Sequence, residues 1–92
     1  MKILAVCGFG VGSSMILKMT IQKALNELNV KGDVVNSDIS DVKSQNADAI
    51  FTSPDFVNDL KKRVNTPLYP VKKYSDLEEV KGQVEKFLKD QD

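Results

Sequence analysis

The stretch Ile3-Leu4-Ala5-Val6-Cys7-Gly8-Phe9-Gly10-Val11-Gly12-Ser13-Ser14 decides the fold. Its first four residues form a continuous apolar run with β-branched members, which suits a strand buried on both faces of a parallel sheet. The run passes directly into a glycine-rich turn holding three of the chain's five glycines. From residue 14 to about 29 the pattern turns helical: Leu17, Ile21, Ala24 and Leu28 share one face, and Asn29 and Gly32 supply stop signals.

Working outward, the same alternation repeats. Residues 33–37 carry Val34-Val35 and read as a second strand; residues 39–45 are short and polar enough for only a turn or two of helix. Residues 47–52 read as a third strand. Ser53-Pro54-Asp55 then reads as an N-cap, a proline at the first helical position and an acid in the first turn. The helix it opens would bury Phe56, Val57, Leu60 and Val64. Residues 66–71 read as a fourth strand, marked as an edge by Pro67 and Pro70. Ser75-Asp76-Leu77-Glu78 reads as a capping box, opening a last helix with a stripe of Leu77, Val80, Val84, Phe87 and Leu88. This order predicts an α/β fold in a single domain over residues 1–92. Its sheet would have four parallel strands in the order 2-1-3-4, doubly wound with helices on both faces. Such sheets bind ligands beyond the carboxyl ends of their strands at the switch point, and Cys7 sits there.

The composition narrows the chemistry. Thirteen Lys+Arg balance thirteen Asp+Glu among 92 residues, which removes the electrostatic footprint of a nucleic-acid or anionic-membrane binder. The single cysteine rules out an intramolecular disulfide and a cysteine-rich metal site, and points to a reducing compartment. The absence of histidine excludes a Ser-His or Cys-His pair, a phosphohistidine and any imidazole ligand. Lys2 followed by residues 3–6 opens like a secretory leader, but the run ends at Cys7-Gly8. A leader needs roughly 7–15 apolar residues and a membrane span about 20. The expectation is a cytoplasmic protein with no direct membrane insertion, no metal and no resident cofactor.

A cysteine ending a buried strand, then glycines, then a helix start, makes an anion cradle with a nucleophile in it. Glycines let successive N–H groups turn inward as a nest, and the helix start adds unpaired donors and the positive end of its dipole. The same field favours a thiolate without help from histidine. A comparison within the chain supports this. The later helices open with Asp55 or with Asp76, Glu78 and Glu79, whereas the first has no acid before Glu27. A helix start free of carboxylate suits an incoming dianion.

Other readings compete. The cysteine could be an inert core residue and the glycines mere tight packing. A Walker loop needs Gly-Lys-Ser/Thr, but Ser13-Ser14 follow Gly12; a dinucleotide fingerprint needs glycine where Ser13 stands. A small tyrosine-phosphatase-like enzyme would also form phosphocysteine on such a loop. It relies on an arginine six residues after the cysteine, again the place of Ser13, and its leaving-group acid would have to be a carboxylate such as Asp55.

The segment from Cys7 to Met19 resembles the phosphorylation site of the IIB component of a bacterial phosphoenolpyruvate-dependent sugar phosphotransferase system. It is most similar to the ascorbate-type branch of the lactose/cellobiose/ascorbate/galactitol superfamily. The specific match runs from Lys2 to Met19; the size, strand order and Ala-Asp-Ala-Ile-Phe-Thr-Ser segment fit along most of the chain. The resemblance implies a fold similar to small phosphotyrosine phosphatases and a two-step relay. Cys7 would take a phosphoryl group from phosphohistidine on a IIA partner and pass it to a sugar, such as ascorbate, held by a membrane IIC component. Gly8, Phe9, Gly10, Val11, Gly12, Ser13 and Ser14 would form the phosphate cradle, with Ser53 as a further donor after the third strand. The missing loop arginine then suits a phosphocysteine that waits for its acceptor. A regulatory relative that accepts no phosphate would keep the same fold.

Around the helix, Met15 and Met19 lie opposite the Leu17 face, which makes them, with Phe9 and Val11, candidates for partner docking. Thr52, Asn36, Ser37 and Asp38 fall at the same sheet edge, and Lys72 and Lys73 follow the fourth strand there.

Overall fold

The computed structural model describes residues 1–7 and 11–91, and for residues 11–13 the backbone only. The elements run in the order β1 (Lys2–Val6), α1 (Val11–Glu27), β2 (Asp33–Ser37), a 3-10 turn at Ile39–Ser44 and β3 (Ala49–Thr52). A 3-10 turn at Pro54–Phe56 then leads into α2 (Val57–Arg63), followed by β4 (Leu68–Pro70) and α3 (Leu77–Asp90). All strand pairs are parallel and the sheet order is β2-β1-β3-β4, as the strand–helix alternation predicts. The register sets Val6 level with Ser37 on one side and with Thr52 on the other.

β1 is the centre of the molecule because everything in it beyond Lys2 is apolar and buried. Ile3, Leu4, Ala5 and Val6 have no exposed surface. Successive side chains point to opposite faces. Ile3 and Ala5 join Phe51, Leu17, Ile21 and Phe87 under α1 and α3. Leu4 and Val6 join Ile50, Val42 and Leu60 on the other side. Apart from Ala5, each such side chain contributes about 1.5–3 kcal/mol relative to exposure, more than the roughly 0–1 kcal/mol of a surface ion pair.

The element ends show where local chemistry prevailed over the simplest reading. Asn29 adopts φ 57°, and Val30 N–H donates to the Leu25 carbonyl at 2.9 Å, a left-handed stop at the end of α1. α3 is capped by Asp76, not Ser75: the Asp76 carboxylate accepts from the N–H groups of Glu78 (3.1 Å) and Glu79 (3.3 Å). A carboxylate at the positive end of a helix makes the stronger cap, which moves the box along by one residue. β3 begins at Ala49 because Asp48 serves as its lead-in, its carboxylate accepting from Lys2 N–H at 2.9 Å. In α2, about two turns long, only Leu60 is buried; Val57 and the flanking Phe56 and Val64 are half-buried.

β4 is tied to α3 in two ways. The Gln83 amide donates to the Pro70 carbonyl at 2.6 Å, and the Tyr69 hydroxyl donates to Asp90 at 2.8 Å. The Tyr69 ring also packs on Phe51 and edge-on to Phe87, at centroid distances of 5.3 and 5.6 Å. Burial, followed by the hydrogen bond and charge of Asp90, pushes the Tyr69 pKa up from 10.0 to about 12. A folded-state value above the unfolded one means a stabilising contribution complete below pH 10 and lost as pH rises through 12. Denaturant melts across the alkaline range should therefore show stability falling between pH 10 and 12, with a shallower fall in Tyr69→Phe. An equal slope in the two proteins would contradict this account.

Candidate functional site

Cys7 is the first residue beyond β1 and is 1% exposed. Because β1 is central, the chain leaves it between Ser37 and Thr52, at the point where the connections diverge to opposite sides. α1 begins at Val11, so Val11, Gly12 and Ser13 belong to the first helical turn; the sequence pattern placed them in the loop. The apolar periodicity marks only where a helix meets the core, and this first turn lies ahead of that contact. Its orphan N–H groups stand at the positive helix end, and no acid occupies that turn. Gly8, Phe9 and Gly10 lie outside the described residues.

Ser14 is nearly buried, and its hydroxyl accepts from the Asn36 amide at 3.5 Å, joining α1 to the end of β2. Ser53 is half-buried and accepts from Asp55 N–H at 3.3 Å, so its capping role is realised. Met15 and Met19 are 40% and 57% exposed, and Ile16 beside them is 49% exposed. The sequence reading singled out the two methionines and missed Ile16. Lys72 and Lys73 are exposed, and their backbone N–H groups donate to the Glu79 carboxylate.

Beside Cys7, the residue not anticipated from the sequence is Tyr74. Its hydroxyl donates to Cys7 Sγ at 3.5 Å, across 67 positions of chain. Burial raises its pKa most, the hydrogen bond and charge of Cys7 raise it further, Ser53 acts in the opposite sense and Asp55 adds an upward push. The phenol thus remains a donor throughout the neutral range. One signal could have pointed to it: in a parallel sheet every strand ends at the same edge, so a tyrosine shortly after β4 belongs to the edge that carries Cys7.

Thr52 has no exposed surface, and its hydroxyl has no hydrogen-bond partner among the described residues. An unmade bond at that depth costs about 1–3 kcal/mol. Thr52→Val keeps the shape and removes the polar atom, so it should raise the melting temperature. A loss of stability by calorimetry would show that the hydroxyl is satisfied in solution.

Among the described residues no three His, Cys, Asp or Glu side chains converge to hold a metal ion, and no helix is long and apolar enough to cross a membrane.

Residues 2–86 match the family model for the lactose/cellobiose-specific IIB subunit of the PTS system, and the chain belongs to this family. Ascorbate-specific PTS system EIIB components from Escherichia coli O157:H7, Shigella flexneri and Salmonella typhi are each 43% identical over 54 residues. Those matches cover 56% of this chain and 54% of the relatives, so the chain spans about half the length of the curated relatives it matches. Among solved structures, a lactose-specific IIB component domain of the phosphoenolpyruvate:carbohydrate phosphotransferase system from Streptococcus pneumoniae superposes with a TM-score of 0.64. That match covers 97% of this chain and 95% of the other at 17% identity, a likeness of fold. The family read from the first loop and the four-stranded architecture are both borne out.

Proposed function

We propose that this chain is a phosphoryl carrier of a sugar-uptake phosphotransferase system, with Cys7 as the residue that is phosphorylated. The observation that carries the reading is positional: the only cysteine directly follows the central strand and precedes a 17-residue helix whose first turn holds no acid. The Cys7 sulfur attacks the phosphorus of a phosphohistidine on a IIA partner. The sulfur–phosphorus bond forms, the nitrogen–phosphorus bond breaks, and the imidazole keeps the electron pair. In the second step a hydroxyl of a sugar held by a membrane IIC partner attacks the same phosphorus: the oxygen–phosphorus bond forms, the sulfur–phosphorus bond breaks with its electron pair on the departing thiolate, and the hydroxyl proton passes to solvent. The backbone donors from Gly8 to Ser14 receive the phosphoryl oxygens, and Ser53 offers a further hydroxyl from across the switch point. Phosphoryl transfer is chiefly positioning and charge stabilisation, which such donors supply with no side-chain cation. The loop between Cys7 and Ser14 holds no Arg or Lys, as suits a group stored for its acceptor instead of being given to water.

The names of the relatives favour ascorbate as the sugar. Met15, Ile16 and Met19 are exposed on α1 and offer an apolar surface on which the two partners would dock in turn, the docking role that the sequence also assigns to Phe9 and Val11.

Incubation with the upstream phospho-donor proteins should add one phosphoryl group to the wild type, at Cys7, and none to Cys7→Ser. Phosphate recovered at another residue, or turnover of p-nitrophenyl phosphate by the isolated protein, would overturn the reading. On titration with the IIA partner, amide signals at Met15 and Met19 should shift; unmoved signals there would place the docking surface elsewhere.

A further inference from the structure

The carrier reading uses Cys7 and the start of α1, and leaves unexplained why a tyrosine hydroxyl rests on the sulfur. Tyr74 belongs to neither a helix nor a strand; it lies in the connection from β4 to α3. That connection is nonetheless held along its whole length. Val71 N–H donates to the Thr52 carbonyl at 2.7 Å, and Asp76 N–H to the Lys73 carbonyl at 3.0 Å. The Glu79 carboxylate accepts from Lys72 N–H at 2.7 Å and from Lys73 N–H at 3.0 Å. Charge-assisted bonds of this kind are about twice as strong as neutral ones, and two on one carboxylate clamp the loop to the first turn of α3. The Tyr74 ring is packed against the α1/α3 core layer, so its hydroxyl has little choice of direction.

Water would satisfy a half-buried phenol as well as a thiol does, since a neutral thiol is a weak acceptor. A thiolate is a strong one. We propose that Tyr74 is the positioning residue for Cys7, donating its hydroxyl to Sγ so as to orient the sulfur and stabilise it as thiolate, with Glu79 holding the loop that carries it. This rests on the carrier reading for the sulfur's task and adds a direction to it. The bond is strongest when the sulfur is negative and weakens when the charge passes to phosphoryl oxygens. It therefore favours the empty carrier and makes phosphocysteine the readier donor.

The test is the pH profile of Cys7 alkylation by iodoacetamide, which needs no phospho-donor and so reports whether or not the carrier reading holds. In Tyr74→Phe the midpoint should rise by about half a pH unit or more, and in Glu79→Gln by less. Asp55 is the carboxylate whose charge reaches the Tyr74 hydroxyl, so the Tyr74→Phe shift should persist in an Asp55→Asn background. A folded Tyr74→Phe protein with an unmoved midpoint would overturn the proposal. Should that variant fail to fold, fluorotyrosine incorporated into a Tyr69→Phe protein gives a stronger donor of the same shape. It should lower the midpoint, and no change there would equally overturn the proposal. If alkylation shifts as stated while Cys7 accepts no phosphoryl group, the positioning role stands and the carrier reading falls.

Discussion

Because Ile3 to Val6 have no exposed surface, β1 can lie only in the middle of the sheet, with a strand on each side and a helical layer over each face. The rest of the molecule answers that requirement. α1 and α3 close one face, while the 3-10 turn at Ile39–Ser44 and the short α2 close the other. A strand so enclosed can release its chain in one place only, the gap between its two neighbours at the carboxyl edge. Cys7 is the first residue in that gap. Cys7 is thus delivered by the same apolar run that forms the centre of the core, and its position tolerates no slippage: a shift of one residue would exchange the two faces of β1.

The carboxyl edge is polar in proportion to what converges there. Ser14 is bridged to Asn36, Ser53 caps the turn after β3, and Tyr74 reaches Cys7 from a loop clamped by Glu79. Thr52 alone presents an unpaired hydroxyl among the described residues at the same depth. Of the acids at this edge, Asp76 and Glu79 are engaged at the start of α3, and Asp38 and Asp55 stand at the starts of the two 3-10 turns, while α1 opens without one. Carboxylates thus serve loop and turn geometry, while the positive end of α1 is not opposed by an acid in its own first turn.

How much of this could be read in the residues depends on how local the cause is. The strand order followed from one continuous apolar run and a strand–helix alternation, both local patterns with a single sterically favoured winding. The place of Cys7 was legible because the residue that follows a fully buried central strand must stand at the carboxyl edge of the sheet. The start of α1 was misjudged by three residues' worth of pattern, since Val11, Gly12 and Ser13 carry no apolar period to announce them. The cap of α3 moved from Ser75 to Asp76 because two adjacent residues could each perform it, and charge decided. Tyr74 was beyond reach for a different reason: its role exists only after β1 and the β4–α3 connection, far apart in sequence, end at one edge.

The fourth strand has a consequence for how the protein behaves in company. Alternate residues of β4 face β3: the Pro67 carbonyl accepts from Ile50 and Val71 N–H donates to Thr52. Leu68 and Pro70 consequently point their backbone groups away from the sheet. Pro70 has no N–H, and its carbonyl is already taken by Gln83 at 2.6 Å. An approaching strand from a second molecule would find one amide and one carbonyl, both on Leu68, where a full ladder requires a continuing series. The side chain that ties α3 to the sheet therefore also ends the sheet, closing to edge-to-edge aggregation the margin beside the loop that supports Cys7.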